Sequence, residues 1–181
     1  MLQRKYVIGL INPLNTDSGR AVALPIFYNK ENIMNYRMIQ LTNKNIPAVA
    51  ANALIPLGNV TRRVCPRTNC CQTFEVTTSG ADTVNITEQG YYRVVYNISA
   101  IAAAAGLVTV SLNIGGNSVL TASATASAEG DTVNITIPFM IRAFGNCASV
   151  PVNLPLSVQI ANTGVALTSA SSDLLIERTY C

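Results

Sequence analysis

The second half of the chain alternates between apolar and polar residues with a period of two, as in strands that turn one face to a core. Turn sequences separate the alternating segments, for example Gly115-Gly116-Asn117 and Glu129-Gly130-Asp131. Many short strands at this spacing predict an all-β sandwich or barrel and not alternating strands and helices. The apolar stripes are Tyr92, Val94, Tyr96 and Ile98; Val108, Val110, Leu112 and Ile114; Val133, Ile135, Ile137, Phe139 and Ile141; Leu154, Leu156, Val158 and Ile160; and Leu174 and Ile176.

The first part of the chain is less regular. Residues 21–28 and 36–41 predict strands, and residues 43–53, rich in Asn, Pro and Ala, predict a linker. We therefore expect two parts: residues 1–55 as an N-terminal arm or small β-subdomain, and residues 56–181 as the main β domain. The pattern does not decide between an arm and a subdomain.

The composition is unusually apolar. Hydrophobic residues make up 49% of the chain and charged residues 12%, whereas charged residues are about 25% of an ordinary soluble domain. So few charges predict that other copies cover part of the surface. We expect a homotrimer, with the small residues of Ala100–Ala105 letting three chains approach closely at its axis.

Charge is divided unevenly along the chain. Residues 1–75 have a net charge of +6 and residues 76–181 of −3, which together give +3. A basic N-terminal part is typical of an arm that docks on an acidic protein surface; a solvated or self-packed face is the alternative. Nucleic acid is not the expected partner, because the basic residues are scattered singly. The docking candidates are Arg4, Lys5, Arg20, Lys30 and Arg37.

The residue types argue against catalysis. The chain has no His, which is the usual general base and the commonest metal ligand. Acids such as Glu129 and Asp131 lie beside turns, where carboxylates are common for backbone reasons. We expect no enzyme activity and no catalytic, cofactor or metal site. No apolar run reaches the ~20 residues of a membrane span, and we expect neither a signal peptide nor a membrane partner.

The chain contains five cysteines, an odd number, so at least one is a thiol or pairs between chains. Their spacing is not that of a zinc site. Buried or free thiols, local disulfides and inter-chain disulfides all remain open. The cysteines are Cys65, Cys70, Cys71, Cys147 and Cys181.

Several segments resemble the C1q/TNF-like jelly-roll superfamily. Residues 90–98 resemble that family's Gly-x-Tyr strand, and residues 110–116 its next strand and turn. Residues 74–76, 154–158 and 173–179 occupy the places of an early, a late and the closing strand. The resemblance covers the chain from Ala53 onward and implies a jelly-roll β-sandwich.

Residues 55–63, followed by cysteines, resemble virion proteins of phages of gut Firmicutes. This resemblance implies a structural protein of the capsid decoration or head-fibre type, made in the bacterial cytoplasm and located on the virion surface. Its partners would be its own copies and other virion proteins, with the major capsid protein as a candidate.

Two alternatives remain open. One is a bacterial spore-surface or appendage subunit that is cross-linked through cysteines, although the chain lacks a Gly-x-y repeat. The other is a module that binds a host receptor or carbohydrate through loops at one end of the sandwich, residues 115–118, 127–131 and 144–150.

Overall fold

The computed structural model describes residues 37–65, 73–77, 82–143 and 154–180. Within these ranges the regular structure is β-strand, and no helix is long and apolar enough to cross a membrane. The strands are β1 (Arg37–Ile46), β2 (Ala53–Leu54), β3 (Asn59–Val64), β4 (Phe74–Val76), β5 (Thr83–Ile86), β6 (Gly90–Ala102), β7 (Gly106–Ile114), β8 (Asn117–Ala126), β9 (Thr132–Ala143), β10 (Leu156–Asn162) and β11 (Leu167–Tyr180).

The strands form two antiparallel sheets that pack face to face. Sheet I has the order β3-β1-β11-β6-β9, and sheet II has the order β4-β5-β10-β7-β8 with β2 paired to β10. Neighbouring strands are often distant in sequence: in the pairing of β1 with β11, Ile39 lies opposite Ile176. This crossing strand order is that of a jelly-roll β-sandwich. The predicted all-β jelly-roll fold is confirmed.

The sandwich has two ends, which we call the base and the tip. The base is the end at which β1 begins and β11 ends. The tip is the opposite end, where the chain passes through the connections 47–52, 103–105, 127–131 and 163–166. Each side chain in the two sheets therefore lies on the core face or the outer face of its sheet, at a given height between base and tip.

The core lies between the sheets and contains the alternating stripes. On β6, Tyr92, Val94 and Tyr96 are fully buried, and on β7 so are Val110 and Leu112. Such side chains contribute about 1.5–3 kcal/mol each when removed from water. The predicted stripes are confirmed as the core side of their strands; their half-buried members pack against its margin, namely Ile114, Phe139, Leu154 and Leu156.

Two hydroxyls in this core, within the described part of the chain, lack a well-formed hydrogen bond. Tyr96 on β6 and Ser172 on β11 both face inward, and neither hydroxyl has a hydrogen bond of full geometry among the described residues. Burial raises the pKa of the Tyr96 hydroxyl well above its ordinary value of 10.0, and the nearby Ser172 hydroxyl offsets a small part of that rise. Tyr96 is therefore an uncharged core residue.

The sandwich begins before the predicted boundary at residue 55. β1 lies between β3 and β11, and its Ile39 and Leu41 are fully buried. The Ile55 amide donates to the Ile160 carbonyl at 2.8 Å, which continues the pairing of β2 with β10. The sandwich therefore includes residues 37–54, which the sequence assigned to the N-terminal part. The physical reason is that sheet I needs β1 to cover its part of the core.

Candidate self-association surface

The outer face of sheet I carries an apolar band near its middle and base. Leu175 lies opposite Val95, and Val95 lies opposite Pro138, so these three form a row across β11, β6 and β9. Met140 and Tyr91 lie on the same face towards the base, opposite Arg93 and Arg142, and are 52% and 37% exposed. We define the apolar band as Tyr91, Val95, Pro138, Met140 and Leu175. Contiguous apolar side chains on an outer face are typical of a protein–protein contact.

The polar side chains around the apolar band are bonded to one another. Because their groups already have partners, covering this face leaves few donors or acceptors unsatisfied and costs less than covering unpaired polar or charged groups would. The contacts are Arg93 Nη1 to Glu177 Oε1 at 3.0 Å, Gln40 Nε2 to Asp173 Oδ1 at 2.9 Å, Thr42 Oγ1 to Asp173 Oδ1 at 2.9 Å, and Thr136 Oγ1 to Asn97 Oδ1 at 2.9 Å.

The outer face of sheet II is different. Its strands present mostly Ser, Thr, Asn and Gln, as in the hydrogen bonds of Thr109 with Ser123 at 2.9 Å and of Gln159 with Thr83 at 2.9 Å, although Val119 on β8 is 41% exposed. Leu107 is 52% exposed there, but the outward side chains beside it are hydroxyls. The two outer faces therefore differ in polarity.

A charged cluster closes the base. The Arg37 guanidinium pairs with the Glu88 carboxylate and also donates to the Thr73 hydroxyl, and Arg178 donates to the same carboxylate at 3.0 Å. The side chains of Arg37 and Arg178 are only 13% and 10% exposed. The cluster ties the first strand, the last strand and the connection before β6 together.

The Glu88 carboxyl is tuned by this cluster. Partial burial raises its pKa, but the hydrogen bond and charge of Arg37, together with Thr73 and Arg178, lower it by more. The net result is a pKa below the ordinary value of 4.5. Glu88 is therefore ionised at neutral pH and holds the two arginines in place.

Arg37 is not an available docking residue. It was a candidate because of its charge alone, but its side chain is bonded inside the domain, since the start of β1 lies beside Glu88. The other docking candidates, Arg4, Lys5, Arg20 and Lys30, lie outside the described residues, as does the predicted strand 21–28.

The candidate cysteines are mostly outside the described residues as well. Cys65 follows β3 and is half-buried. The other four are Cys70, Cys71, Cys147 and Cys181. Their pairing stays a prediction.

The loops named for receptor or carbohydrate binding do not meet. The turn at Gly115 and Gly116 and the loop 127–131 lie at opposite ends of β8, which has ten residues. At about 3.4 Å per residue the two are roughly 30 Å apart. Residues 144–150 lie outside the described residues.

The residues of the apolar band were missed at the sequence level, yet a signal was present. Three strands break their alternation with adjacent apolar pairs, which are Val94-Val95, Phe139-Met140 and Leu174-Leu175. One member of each pair faces the core and the other faces outward. Strands that are apolar on both faces are typically covered on both sides.

No family model matches the chain, and no curated protein matches it by sequence. Solved structures do match its fold. The PRD1 vertex protein P5 superimposes with a TM-score of 0.52 at 18% identity, over 78% of this chain and 96% of that one.

Two further matches come from animal proteins. The globular domain of zebrafish complement 1qA gives a TM-score of 0.54 at 9% identity, over 80% of this chain and 98% of that one. Eiger TNF from S. frugiperda gives 0.56 at 11% identity, over 80% and 91%. At such identities the similarity concerns the fold alone, and the fold of this chain is the C1q/TNF-like jelly roll.

Proposed function

We propose that the chain is a non-enzymatic structural protein of a virion surface, of the capsid decoration or head-fibre type, that assembles as a homotrimer. The observation that carries the proposal is the apolar band, which lies on a face whose polar side chains are already bonded to one another. A solvent-exposed monomer gains nothing from this arrangement, whereas an interface gains hydrophobic burial.

A three-fold ring requires two different surfaces on each copy, because its contacts are heterologous. The best complement to the apolar band is the side of the sandwich formed by β8 and β9, which lie next to each other. Neither β8 nor residues 132–141 of β9 carry a charged side chain. The opposite side carries Arg62 and Arg63 on β3 and Glu75 on β4, which are costly to bury.

The proposed attachment uses the N-terminal part. β1 begins at the base, and the tip is the end farthest from its first residue, Arg37. We assign attachment to an acidic surface of the particle to Arg4, Lys5, Arg20 and Lys30. The similarity to a vertex protein supports a place on a virion.

Antibodies against the chain test this function directly. Immunogold electron microscopy of purified particles of the phage that encodes the chain should show label on the particle surface. The four-fold variant Arg4→Gln, Lys5→Gln, Arg20→Gln and Lys30→Gln should remain a trimer but lose its attachment to the particle. Purified particles that lack the chain would refute the virion assignment, and normal attachment of the variant would refute the docking role.

A further inference from the structure

A groove of about 530 Å³ lies on the outer face of sheet I, towards the tip. Hydroxyl side chains of Ser99, Ser169 and Ser171 line it together with the apolar Pro47 and Ile101, and Lys44 stands at its side. Lys44 is exposed, and among the described residues its ammonium group has no ion-pair or hydrogen-bond partner. Because Lys44 is charged, the groove is suited to a segment that carries a negative charge.

A segment of this kind occurs in the loop 127–131, also at the tip. The Asp131 carboxylate accepts from the Ser127 and Ala128 amides at 2.8 and 2.9 Å, which holds the loop in a tight turn. Glu129 lies on this turn and is exposed. Its carboxylate has no ion-pair or hydrogen-bond partner within the part of the chain that the structure describes. The turn therefore presents a single unpaired carboxylate.

The two charges do not pair within one copy. Lys44 is on β1, and the loop with Glu129 leads into β9, which is separated from β1 by β11 and β6. Three strand spacings correspond to about 14 Å. The separation leaves both charges available to a neighbouring molecule.

We propose that the loop 127–131 of one copy enters the groove of the next copy, where the Glu129 carboxylate pairs with the Lys44 ammonium. The inference rests on the proposed self-association, in which the β8–β9 side of one copy covers the outer face of sheet I of the next. In a ring whose axis runs along the strands, each contact joins points of equal height. Both groups lie at the tip, so the ring brings opposite charges together.

This pair gives the interface a register that the apolar band alone does not fix. Apolar contacts are non-directional, and a slipped arrangement would bury a similar area. A slip along the strands would leave Lys44 and Glu129 apart, each without a partner and partly removed from water. The pair therefore selects one arrangement of the trimer.

Charge reversal and charge exchange test the pair. Lys44→Glu and Glu129→Lys should each weaken the trimer at least about tenfold in sedimentation-equilibrium measurements at low salt, because each places like charges together. The double variant should return the dissociation constant to within about threefold of the original chain. Glu75→Lys, on the edge strand β4, makes the same charge change outside both surfaces and should have no effect.

The outcomes separate the two proposals. Unchanged trimers in both single variants, or weakened trimers that the double variant does not restore, would overturn the pair and leave the trimer standing. A monomeric original chain would overturn the proposed assembly itself. Thermal unfolding of each variant shows whether the fold is retained.

Discussion

The two outer faces of the sandwich are built on the same pleated framework but are prepared for different surroundings. Sheet I turns outward Val95, Pro138 and Leu175 in one row, with the Arg93–Glu177 ion pair and hydrogen bonds between the polar side chains around it. Sheet II turns outward hydroxyl and amide side chains, such as Thr109 and Ser123. One face is suited to contact with protein and the other to water.

The comparison shows that exposure of a single apolar side chain is not informative by itself. Met140 on sheet I and Leu107 on sheet II are both 52% exposed. Met140 adjoins the row of Pro138, Val95 and Leu175, whereas the outward neighbours of Leu107 are hydroxyls. A contact surface is distinguished by apolar side chains that adjoin one another and by polar side chains that already bond to each other within the same copy.

The largest expected effect is on the stability of the trimer, and it is tested by replacing either Met140 or Leu107 by aspartate. Met140→Asp should raise the dissociation constant of the trimer at least about 100-fold, because the interface would bury a carboxylate in place of an apolar side chain. Leu107→Asp should leave assembly unchanged. Sedimentation velocity over a range of concentrations measures both. Equal effects of the two variants would show that the faces do not differ in function.

The next largest effect is on the free energy of unfolding of a single copy, which the charged cluster at the base stabilises. Glu88→Gln removes the carboxylate that Arg37 and Arg178 share and leaves two positive charges side by side. We expect the free energy of unfolding to fall by about 1–2 kcal/mol. Urea denaturation in the Met140→Asp background reports on single copies. Glu75→Gln, an exposed carboxylate on β4, is the matched control and should change little.

The pH dependence of stability follows from the same carboxyl. The pKa of Glu88 is lower in the folded state than its ordinary value of 4.5, so the folded state favours the ionised form. Its contribution is therefore fully present above about pH 4.5 and is lost as the pH falls through the folded pKa. Urea denaturation from pH 6 to pH 3 should show a smaller acid-induced loss for Glu88→Gln. Parallel curves for the two chains would contradict the role of Glu88.

The smallest expected effect is on the free energy of unfolding of a single copy when the ion pair on the outer face of sheet I is removed. Arg93 is 56% exposed and pairs with Glu177, and exposed ion pairs contribute little. Arg93→Gln in the Met140→Asp background should change the free energy of unfolding by less than about 1 kcal/mol. A loss as large as that for Glu88→Gln would show that this pair holds the fold and does not merely neutralise a contact surface.

Much of the fold could be predicted because its strands alternate with strong contrast. The stripe from Val133 to Ile141 differs sharply from the Thr and Asn residues between its members, and it corresponds to β9. β8 was missed for the opposite reason. Its inward side chains are mostly Ala and its outward ones are mostly Thr or Ser, so the contrast is low.

The candidate site is formed by residues that are neighbours in space but distant in sequence. A linear pattern of apolar and polar residues does not show which strands lie side by side. Val95 belongs to the apolar band only because Leu175 and Pro138 lie opposite it on neighbouring strands. Arg37 was expected to face a partner because of its charge, but Glu88 lies 51 residues further along the chain. Such pairs follow from strand order and register, which the fold supplies.

The mass of the purified chain in solution tests the central claim most directly. Size-exclusion chromatography with light scattering at micromolar concentration should give three times the mass of the 19.2 kDa chain, and Met140→Asp should shift it to one chain without unfolding it. A single-chain mass for the original sequence would contradict the account, because the apolar face of sheet I would then be stably exposed to water.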